Sequence, residues 1–351
     1  MAPMQKSRYQ GAMVGTQCGD AMGAPVEWQT AAQVAEYFAQ HGGYVMHDYL
    51  DPWGLRRRET DPTVKVRQMY AGQPTDDSEL TAILASSIVG SKGLDEEDTY
   101  RCLRDFIHGN TPEGRKSFLT RDTAYGSGGT LRKALKPATY AESDAGFRAG
   151  EIPLLPTNGS LMRNISVPLF GFREMGSMLE LARRQSMLTH RHPLAVAACQ
   201  AHAVMVAYIL YGLPPRRAWE TACKVLSTSL YTSHALPASI LSISTDLPSE
   251  MEMQEAKGND KESSRYGDVV LTLRIAVAAS IAAKDFRDGV EKAIAVGGDT
   301  DTYAAVAGGI LGAHFGMEGI PNEWSGCLIG GGLMLTLADE LFELAHPELV
   351  S

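Results

Sequence analysis

The sequence has too few basic residues to attract nucleic acid or anionic lipid. Its most apolar runs are also too short for a membrane-spanning helix. Its 351 residues include 32 Lys and Arg against 41 Asp and Glu, which gives a formal net charge of −9. A surface of that sign does not hold nucleic acid or anionic lipid by bulk charge. The most apolar stretches, residues 275–283 and 304–315, are shorter than the about 20 residues that a membrane-spanning helix needs. We therefore expect neither a nucleic-acid nor a membrane partner.

Signals for export, disulfides and zinc are also missing. Residues 1–10 contain no apolar core of the kind that a secretory signal requires. The 5 cysteines are scattered without a C-x-x-C pair, and an odd number in a chain of this length indicates reduced thiols. No H-E-x-x-H or similar spacing supports a zinc site. These absences favour a reducing, cytoplasmic environment.

Sheet-forming patterns are nearly absent, whereas helical periodicity runs through most of the chain. No G-x-G-x-x-G follows a strand-like run, which argues against a dinucleotide-binding α/β domain. Apolar residues recur every three to four positions in residues 80–88, 193–210, 269–283 and 303–313. Internal repeats and composition shifts are not found. The sequence predicts an all-α fold, with an amino-terminal arm (residues 1–10) and one compact multi-helix domain (residues 11–351).

Three stretches lack the helical pattern, and we interpret them as irregular. Residues 42–74 are rich in Gly, Pro and charge, and so long a connection is typical of a lid or a partner-binding loop. The arginines 56–58 within it form either a solvated face or an anion contact. Residues 124–164 hold two Gly-containing turns, and the polar residues 246–265 are expected to form a solvated loop.

Two acidic motifs stand where helices should begin. One is Thr75-Asp-Asp-Ser-Glu79, and the other is Gly297-Gly-Asp-Thr-Asp-Thr302. Helix capping alone would explain either motif, but like charges so close together raise each other's cost of ionisation. If the two motifs meet, their oxygen atoms form a site that suits one or two Mg²⁺ or Mn²⁺ ions. The candidate ligands are Thr75, Asp76, Asp77, Asp299, Asp301 and Thr302.

A third motif follows the amino terminus. It contains four glycines spaced four residues apart: Gly11, Gly15, Gly19 and Gly23. On a helix, this spacing forms one stripe without side chains, which allows close packing against a neighbouring helix. Pro25 is expected to end that helix, which places Glu27 on the loop just beyond it. A glutamate in such a position is either solvent-exposed or part of a functional site.

Taken together, these segments resemble the ADP-ribosylglycohydrolase family over nearly the whole chain. Five motifs occur in the family's order, and they are residues 19–27, 75–79, 158–163, 188–190 and 297–308, the last followed by 319–324. The resemblance implies an all-helical fold with a central metal cleft and a binuclear Mg²⁺ (or Mn²⁺) centre. It also implies binding of the distal ribose of ADP-ribose and hydrolysis at its anomeric carbon.

The resemblance assigns roles residue by residue. The two acidic motifs match the metal ligands, with Asp301 as the bridge, and Glu27 matches a glutamate on a movable loop that is implicated in catalysis. Glu27 is the candidate general acid or base. Asp77 or a metal-bound water is the alternative nucleophile partner. The remaining candidates contact the substrate: Asn158, Gly159, Ser160, Met162 and Arg163 at the diphosphate and ribose, His190 near the adenosine, and Gly126 and Gly128 at the entrance.

Some of these assignments leave alternatives open. His190 could instead be a buried histidine with no contact to the substrate. Some relatives carry an aspartate just before the first Gly-rich turn, but this chain has none at the matching place, and Asp122, further upstream, is a weak candidate base.

We expect a hydrolase that removes ADP-ribose from modified protein side chains, above all from arginine. The first alternative is an immunity protein, with or without hydrolase activity, that binds and blocks an ADP-ribosyltransferase toxin with residues 1–10 or 42–74. The second alternative is a relative that binds ADP-ribose without hydrolysing it.

Overall fold

Helices make up most of the residues that the computed structural model describes, which are 2–109, 118–120, 126–228, 236–258 and 265–349. The helices are α1 Ala2–Gly23, α2 Ala31–Gln40, α3 Pro52–Thr60, α4 Asp76–Ser91, α5 Glu96–His108, α6 Gly129–Ala134, α7 Tyr140–Arg148, α8 Ser166–Gly171, α9 Met175–Met187, α10 Pro193–Leu210, α11 Pro215–Leu226, α12 Ala238–Leu241, α13 Glu250–Lys257, α14 Val269–Ala282, α15 Phe286–Ala295, α16 Thr300–Phe315, α17 Asn322–Ser325 and α18 Gly331–Ala345. The strands are β1 Gln29–Thr30, β2 Tyr49–Leu50, β3 Gln68–Met69 and β4 Gly297–Gly298. They form two antiparallel pairs, β1 with β4 and β2 with β3. The all-α prediction is confirmed.

Helices α1 and α16 pack against each other backbone to backbone. The glycine stripe of α1 faces α16, as the spacing predicts, and a Cβ atom added to any of the four glycines would lie within 2.5 Å of a carbonyl oxygen of α16. The pairs are Gly11 with Gly312, Gly15 with Gly308, Gly19 with Ala304 and Gly23 with Thr300. This contact fixes the carboxyl end of α1 against the amino end of α16, where Asp299 and Asp301 lie.

Helix α10, with 18 residues, is longer than either of the apolar stretches singled out in the sequence. It is long and apolar enough to cross a membrane by length and composition, but 78% of it is buried inside the protein. It packs against α9, α11 and α14. Its apolar character on all sides is therefore typical of a core helix.

The described amino terminus belongs to a long helix. Residues 2–10 of the expected arm (residues 1–10) lie in the first turns of α1, and Tyr9 is buried with its ring edge-on to Phe172 and Phe342. α1 ends at Gly23, and the 3₁₀ turn Ala24–Val26 that follows contains Pro25. The predicted end of the helix is confirmed.

The three segments interpreted as irregular each contain helix, so that interpretation was wrong. Residues 42–74 hold α3 and the β2–β3 pair, residues 124–164 hold α6 and α7, and residues 246–265 hold α13. These helices are short and begin at local caps. The Asp51 carboxylate accepts a hydrogen bond from Trp53 N (2.9 Å), and Ser249 forms a capping box with Glu252. Caps of this kind stabilise a helix that is too short to show apolar periodicity.

Two of the sequence-based assignments fall on residues that the structure does not describe. The weak candidate base Asp122 and the first residue of the Gly-rich turn, Tyr125, lie outside the described residues, as do 259–264 of the expected polar loop.

Candidate functional site

The β1–β4 pair brings Glu27 to the second acidic motif. Gln29 pairs with Gly298, and Trp28 N donates a hydrogen bond to the Gly298 carbonyl oxygen at 2.6 Å. Gly297 and Gly298 both have positive φ angles (75° and 89°), a conformation that glycine adopts without strain. The turn therefore places Glu27 beside the residues that follow Gly298.

Acidic side chains from three parts of the chain meet at this point. Carboxylate oxygens of Glu27, Asp299 and Asp301 all lie within 4.8 Å of one another, and all three residues are buried. The side chain of Thr302 hydrogen bonds with Asp77, which joins the start of α4 to the start of α16. The predicted meeting of the two motifs is confirmed, and Glu27 is not solvent-exposed.

Capping alone does not explain the two motifs. Thr75 Oγ1 does cap α4 by accepting a hydrogen bond from Asp77 N (3.4 Å). Asp299, however, precedes α16 without a side-chain capping bond. Its carboxylate instead accepts a hydrogen bond from Asn158 Nδ2 at 2.7 Å. Asp299 therefore directs its carboxylate away from its own helix, whereas Asp301 Oδ1 accepts a hydrogen bond from Thr302 N at 2.8 Å within α16.

Burial and mutual repulsion make these carboxyl groups hard to ionise. Burial, followed by the charge of Asp299, raises the pKa of Glu27 to about 8. Burial and the charges of Asp20 and Asp299 raise the pKa of Asp76 to about 8. The pKa values of Asp77 and Asp301 are raised well above the ordinary range, again chiefly by burial. Such a cluster calls for a compensating positive charge.

The described side chains supply little of that charge. Arg132 is close enough to lower the pKa of Asp76, but its Nε donates to the Ser127 carbonyl oxygen at 3.0 Å. Asp77 Oδ1 is buried and has no hydrogen-bond partner among the described residues. An orphaned carboxylate oxygen within a set of purely oxygen donors fits a hard divalent cation such as Mg²⁺ or Mn²⁺.

Asp20, which no sequence motif singled out for a role, organises the first acidic motif. Its fully buried carboxylate accepts hydrogen bonds from Thr75 N (3.1 Å), Thr75 Oγ1 (2.8 Å), Ser78 N (3.0 Å) and Ser78 Oγ. Burial raises the pKa of Asp20 to about 6, and these hydrogen bonds act in the opposite direction. The sequence did contain one signal of this role, because Asp20 is a lone acid next to the glycine stripe of an apolar helix.

Two tryptophans, which no sequence motif pointed to, hold the Glu27 side chain. Trp28 Nε1 donates to Glu27 Oε1 at 2.6 Å, and the Trp53 side chain, from α3, hydrogen bonds with the same carboxyl group. The two indole rings meet edge to face at 5.3 Å, and Trp28 also packs on Tyr266 at 5.6 Å. Trp28 adopts a positive φ of 65°, which is rare outside glycine. Glu27 is therefore fixed from both sides.

The predicted substrate loop lies against the acidic cluster. Besides its bond to Asp299, Asn158 Nδ2 donates to Thr272 Oγ1 at 3.0 Å. A Cβ atom on Gly159 would lie 2.7 Å from His190 Cε1, so only glycine allows this approach. Ser160 Oγ hydrogen bonds with Ser186 Oγ at 2.8 Å. The loop is thus held rigidly beside Asp299.

Arg163 and His190 support this loop from the protein interior. The fully buried guanidinium of Arg163 donates to the Gly159 and Gln185 carbonyl oxygens and to Thr189 Oγ1. His190 Nδ1 hydrogen bonds with Thr189 Oγ1 at 2.8 Å. Burial and the nearby Arg163 lower the pKa of His190 to about 3, so its ring is neutral at neutral pH. This geometry favours a supporting role for both side chains.

The other predicted site residues are spread more widely. Gly126, with φ +98°, is so close to Asp76 that a Cβ atom would lie 2.1 Å from Asp76 Oδ1. Gly128 directly precedes α6, and no heavy atom lies within 4 Å of its Cβ position. Met162 is buried in the main hydrophobic core. The structure therefore places Gly126 at the acidic cluster and Met162 away from solvent.

Comparisons with known proteins agree with this arrangement. A family model described as ADP-ribosylglycohydrolase matches residues 1–349. The ADP-ribosylarginine hydrolase Tri1 of Serratia proteamaculans is 26% identical over 97% of this chain and 80% of its own length. The ADP-ribosyl-[dinitrogen reductase] glycohydrolase of Rhodospirillum rubrum is 24% identical over 92% of this chain and 90% of its own. A solved structure described as an ADP-ribosylglycohydrolase-related protein complex superposes with a TM-score of 0.69 and 26% identity, over 98% of this chain and 99% of that one.

Proposed function

Because the chain belongs to the ADP-ribosylglycohydrolase family, we propose that it hydrolyses the bond between the distal ribose of ADP-ribose and a protein side chain, in particular arginine. The observation that carries this proposal is the meeting of Glu27 with the acidic starts of α4 and α16. The two relatives named after ADP-ribosylarginine and dinitrogen reductase support a protein substrate. The toxin-blocking alternative gains no support, because these relatives are named as hydrolases.

The proposed cofactor is a pair of divalent cations, Mg²⁺ or Mn²⁺. The residues that would hold them are Thr75, Asp76, Asp77, Asp299, Asp301 and Thr302. Three features fit the positive charge of such cations. They are the oxygen donors, the orphaned Asp77 Oδ1 and the raised pKa values of Asp77 and Asp301. When bound, the cations would neutralise the carboxylates, orient the ribose hydroxyl groups and polarise a water molecule.

Glu27 is the proposed general acid or base at the scissile bond. The two tryptophan donors fix its carboxyl group beside Asp299 and Asp301, so that no side-chain rearrangement is needed at the moment of proton transfer. With its pKa raised to about 8, the carboxyl group holds a proton at neutral pH in the cation-free protein. Proton donation to the departing side chain would follow the division of labour that paired carboxyl groups have in glycoside hydrolysis.

The loop 158–160 is the proposed cradle for the diphosphate. Its backbone can approach anionic oxygens closely because Gly159 has no side chain. The buried positive charge of Arg163 lies directly behind it and donates to the Gly159 carbonyl oxygen at 3.3 Å. Both features favour a bound anion at this loop.

The test of the proposed function is the release of free ADP-ribose from ADP-ribosylarginine. We expect release in the presence of Mg²⁺, loss of release after treatment with EDTA, and recovery when Mg²⁺ is added back. Product is measured by chromatography, and substrate binding by calorimetry in parallel. Binding without release would favour a protein that recognises ADP-ribose and does not hydrolyse it. Release that EDTA leaves unchanged would contradict the cation site.

Cation binding should also stabilise the fold in a pH-dependent way. Asp76 and Glu27 have pKa values of about 8 in the folded protein, against about 4 in an unfolded chain. The cation-free fold should therefore lose stability as the pH rises from about 4 to about 8, because folding disfavours the ionised forms. Mg²⁺ binds those ionised forms. At saturation we expect it to raise Tm by about 5 °C at pH 8 and by less at pH 5.

Calorimetry with and without EDTA at the two pH values measures this difference. Asp77→Asn is the matched variant, because it keeps the shape of the side chain and removes one negative donor. It should reduce the Mg²⁺-induced rise in Tm. An equal rise at both pH values, or a rise that Asp77→Asn leaves intact, would contradict the assignment of the buried carboxylates as the cation site.

A further inference from the structure

Helix α3 lies beside the catalytic glutamate and turns most of its length to solvent. Trp53, in its first turn, packs edge to face on Trp28, which donates to Glu27, and Asp51 fixes that turn by capping the backbone at Trp53. Gly54 is buried, with Val66 Cα 3.2 Å from where its Cβ would be. Residues 55–60 are all exposed. One end of the helix therefore contacts the site, and the rest forms a surface next to it.

The exposed part of α3 is basic in a chain that is acidic overall. Three consecutive arginines, Arg56–Arg58, lie on it with a single acid, Glu59, whereas the whole chain carries a formal net charge of −9. Arg56 is close enough to lower the pKa of Tyr266. Tyr266 packs on Trp28, which donates to Glu27. The basic strip thus starts at the aromatic side chains around Glu27 and continues outward.

Exposed apolar side chains are concentrated in the same segment. Among the described residues, nine large hydrophobic side chains are exposed, and four of them fall between residues 45 and 70. These four are Val45, Leu50, Leu55 and Tyr70. Exposed apolar groups next to arginines are typical of surfaces that bind another protein.

The leaving group of the proposed reaction, the modified side chain, identifies the protein that carries it as the partner. In the proposed reaction, Glu27 acts on the bond between the ribose and the modified side chain. If the sugar binds at the acidic cluster, the protein attached to the modified side chain has to pass close to Glu27. Helix α3 is a neighbour of Glu27, because Trp53 packs on Trp28, which donates to Glu27 Oε1.

We infer that the exposed end of α3, defined as Leu55 with Arg56–Arg58, is a docking surface for the ADP-ribosylated protein and selects acidic residues next to the modified arginine. This inference rests on the proposed function and adds a substrate preference to it. Oppositely charged groups across such a contact speed association and discriminate between partners, and salt weakens their effect.

The experiment compares three substrates, each with a single ADP-ribosylarginine: the free amino acid, a peptide with flanking Asp and Glu, and a peptide with flanking Ser. The variant is Arg57→Ser/Arg58→Ser, which leaves Arg56 beside Tyr266. Its kcat/KM on the acidic peptide should fall about fivefold, as expected for two exposed charge contacts. Its kcat/KM should change by less than about twofold on the Ser-flanked peptide and the free amino acid, and 0.5 M NaCl should abolish the fivefold difference.

The matched control is Arg216→Ser/Arg217→Ser, which removes two exposed arginines from α11 and should leave all three activities unchanged. Arg57→Glu/Arg58→Glu should shift the preference toward a Lys-flanked peptide. Equal losses on all three substrates would overturn the inference, because the arginines would then contact ADP-ribose itself. Unchanged activity on the acidic peptide would overturn it as well. If the unmodified protein cleaves none of the substrates, the proposed function has failed instead.

Discussion

Replacing Asp301 by alanine is expected to lower the rate of ADP-ribose release by about 10³-fold, the scale of losing a central electrostatic group in an active site. Asp301 contributes an oxygen to the Glu27–Asp299 cluster, and the charges of Glu27, Asp299 and Asp77 all act on it. Single-turnover assays with ADP-ribosylarginine and saturating Mg²⁺ measure the effect.

A second readout separates this loss from simple unfolding. Asp301→Asn removes a negative charge from a repulsive buried cluster and preserves the volume of the side chain. In EDTA the variant should therefore melt at a higher temperature than the unmodified protein, although its activity is lost. Glu343→Ala, on the exposed side of α18, serves as the control and should change neither property. Near-normal activity of Asp301→Ala would rule out the proposed site.

Gly19→Ala should destabilise the protein by at least about 3 kcal/mol, the upper range for overpacking in a rigid core. The added Cβ atom would lie 1.9 Å from the Ala304 carbonyl oxygen, and it would meet backbone that cannot rotate away. Alanine's better helix propensity, worth about 1 kcal/mol, offsets only part of this loss. Urea unfolding followed by circular dichroism measures the free energy of unfolding.

Gly90→Ala is the matched control for that substitution. Gly90 also lies within a helix, α4, but no heavy atom lies within 4 Å of the Cβ position. We expect the free energy of unfolding to stay the same or to rise by up to about 1 kcal/mol. If Gly19→Ala proves as stable as Gly90→Ala, the backbone contact between α1 and α16 is wrong.

The features that could be predicted from the sequence are those encoded by neighbouring residues. The starts of α4 and α16 follow from the threonine and aspartates before each apolar run, and the end of α1 follows from Pro25. The close contact between α1 and α16 follows from glycines at every fourth position. The short helices α3 and α13 could not be predicted in this way, because single caps and packing determine them more than periodicity does.

The same division applies to the candidate site. The oxygen donors were recognisable because the acids cluster in short motifs, and the family resemblance drew attention to Glu27. Asp20 and Trp53 were missed because their roles depend on distant partners. Asp20 serves Thr75, 55 positions away, and Trp53 reaches Glu27 from a segment with no helical pattern. Only the tertiary structure shows which residues these two side chains contact.

The glycine contact between α1 and α16 also bears on how strongly the site attracts its cations. Two helices in backbone contact cannot slide apart, so the carboxyl groups near their ends keep their spacing whether or not cations are bound. The ligands need not be drawn together when cations bind, and this preorganisation adds to affinity. Loosening the pair at Gly11 and Gly312, about two helical turns from Gly19, would therefore weaken cation binding without altering a single ligand atom.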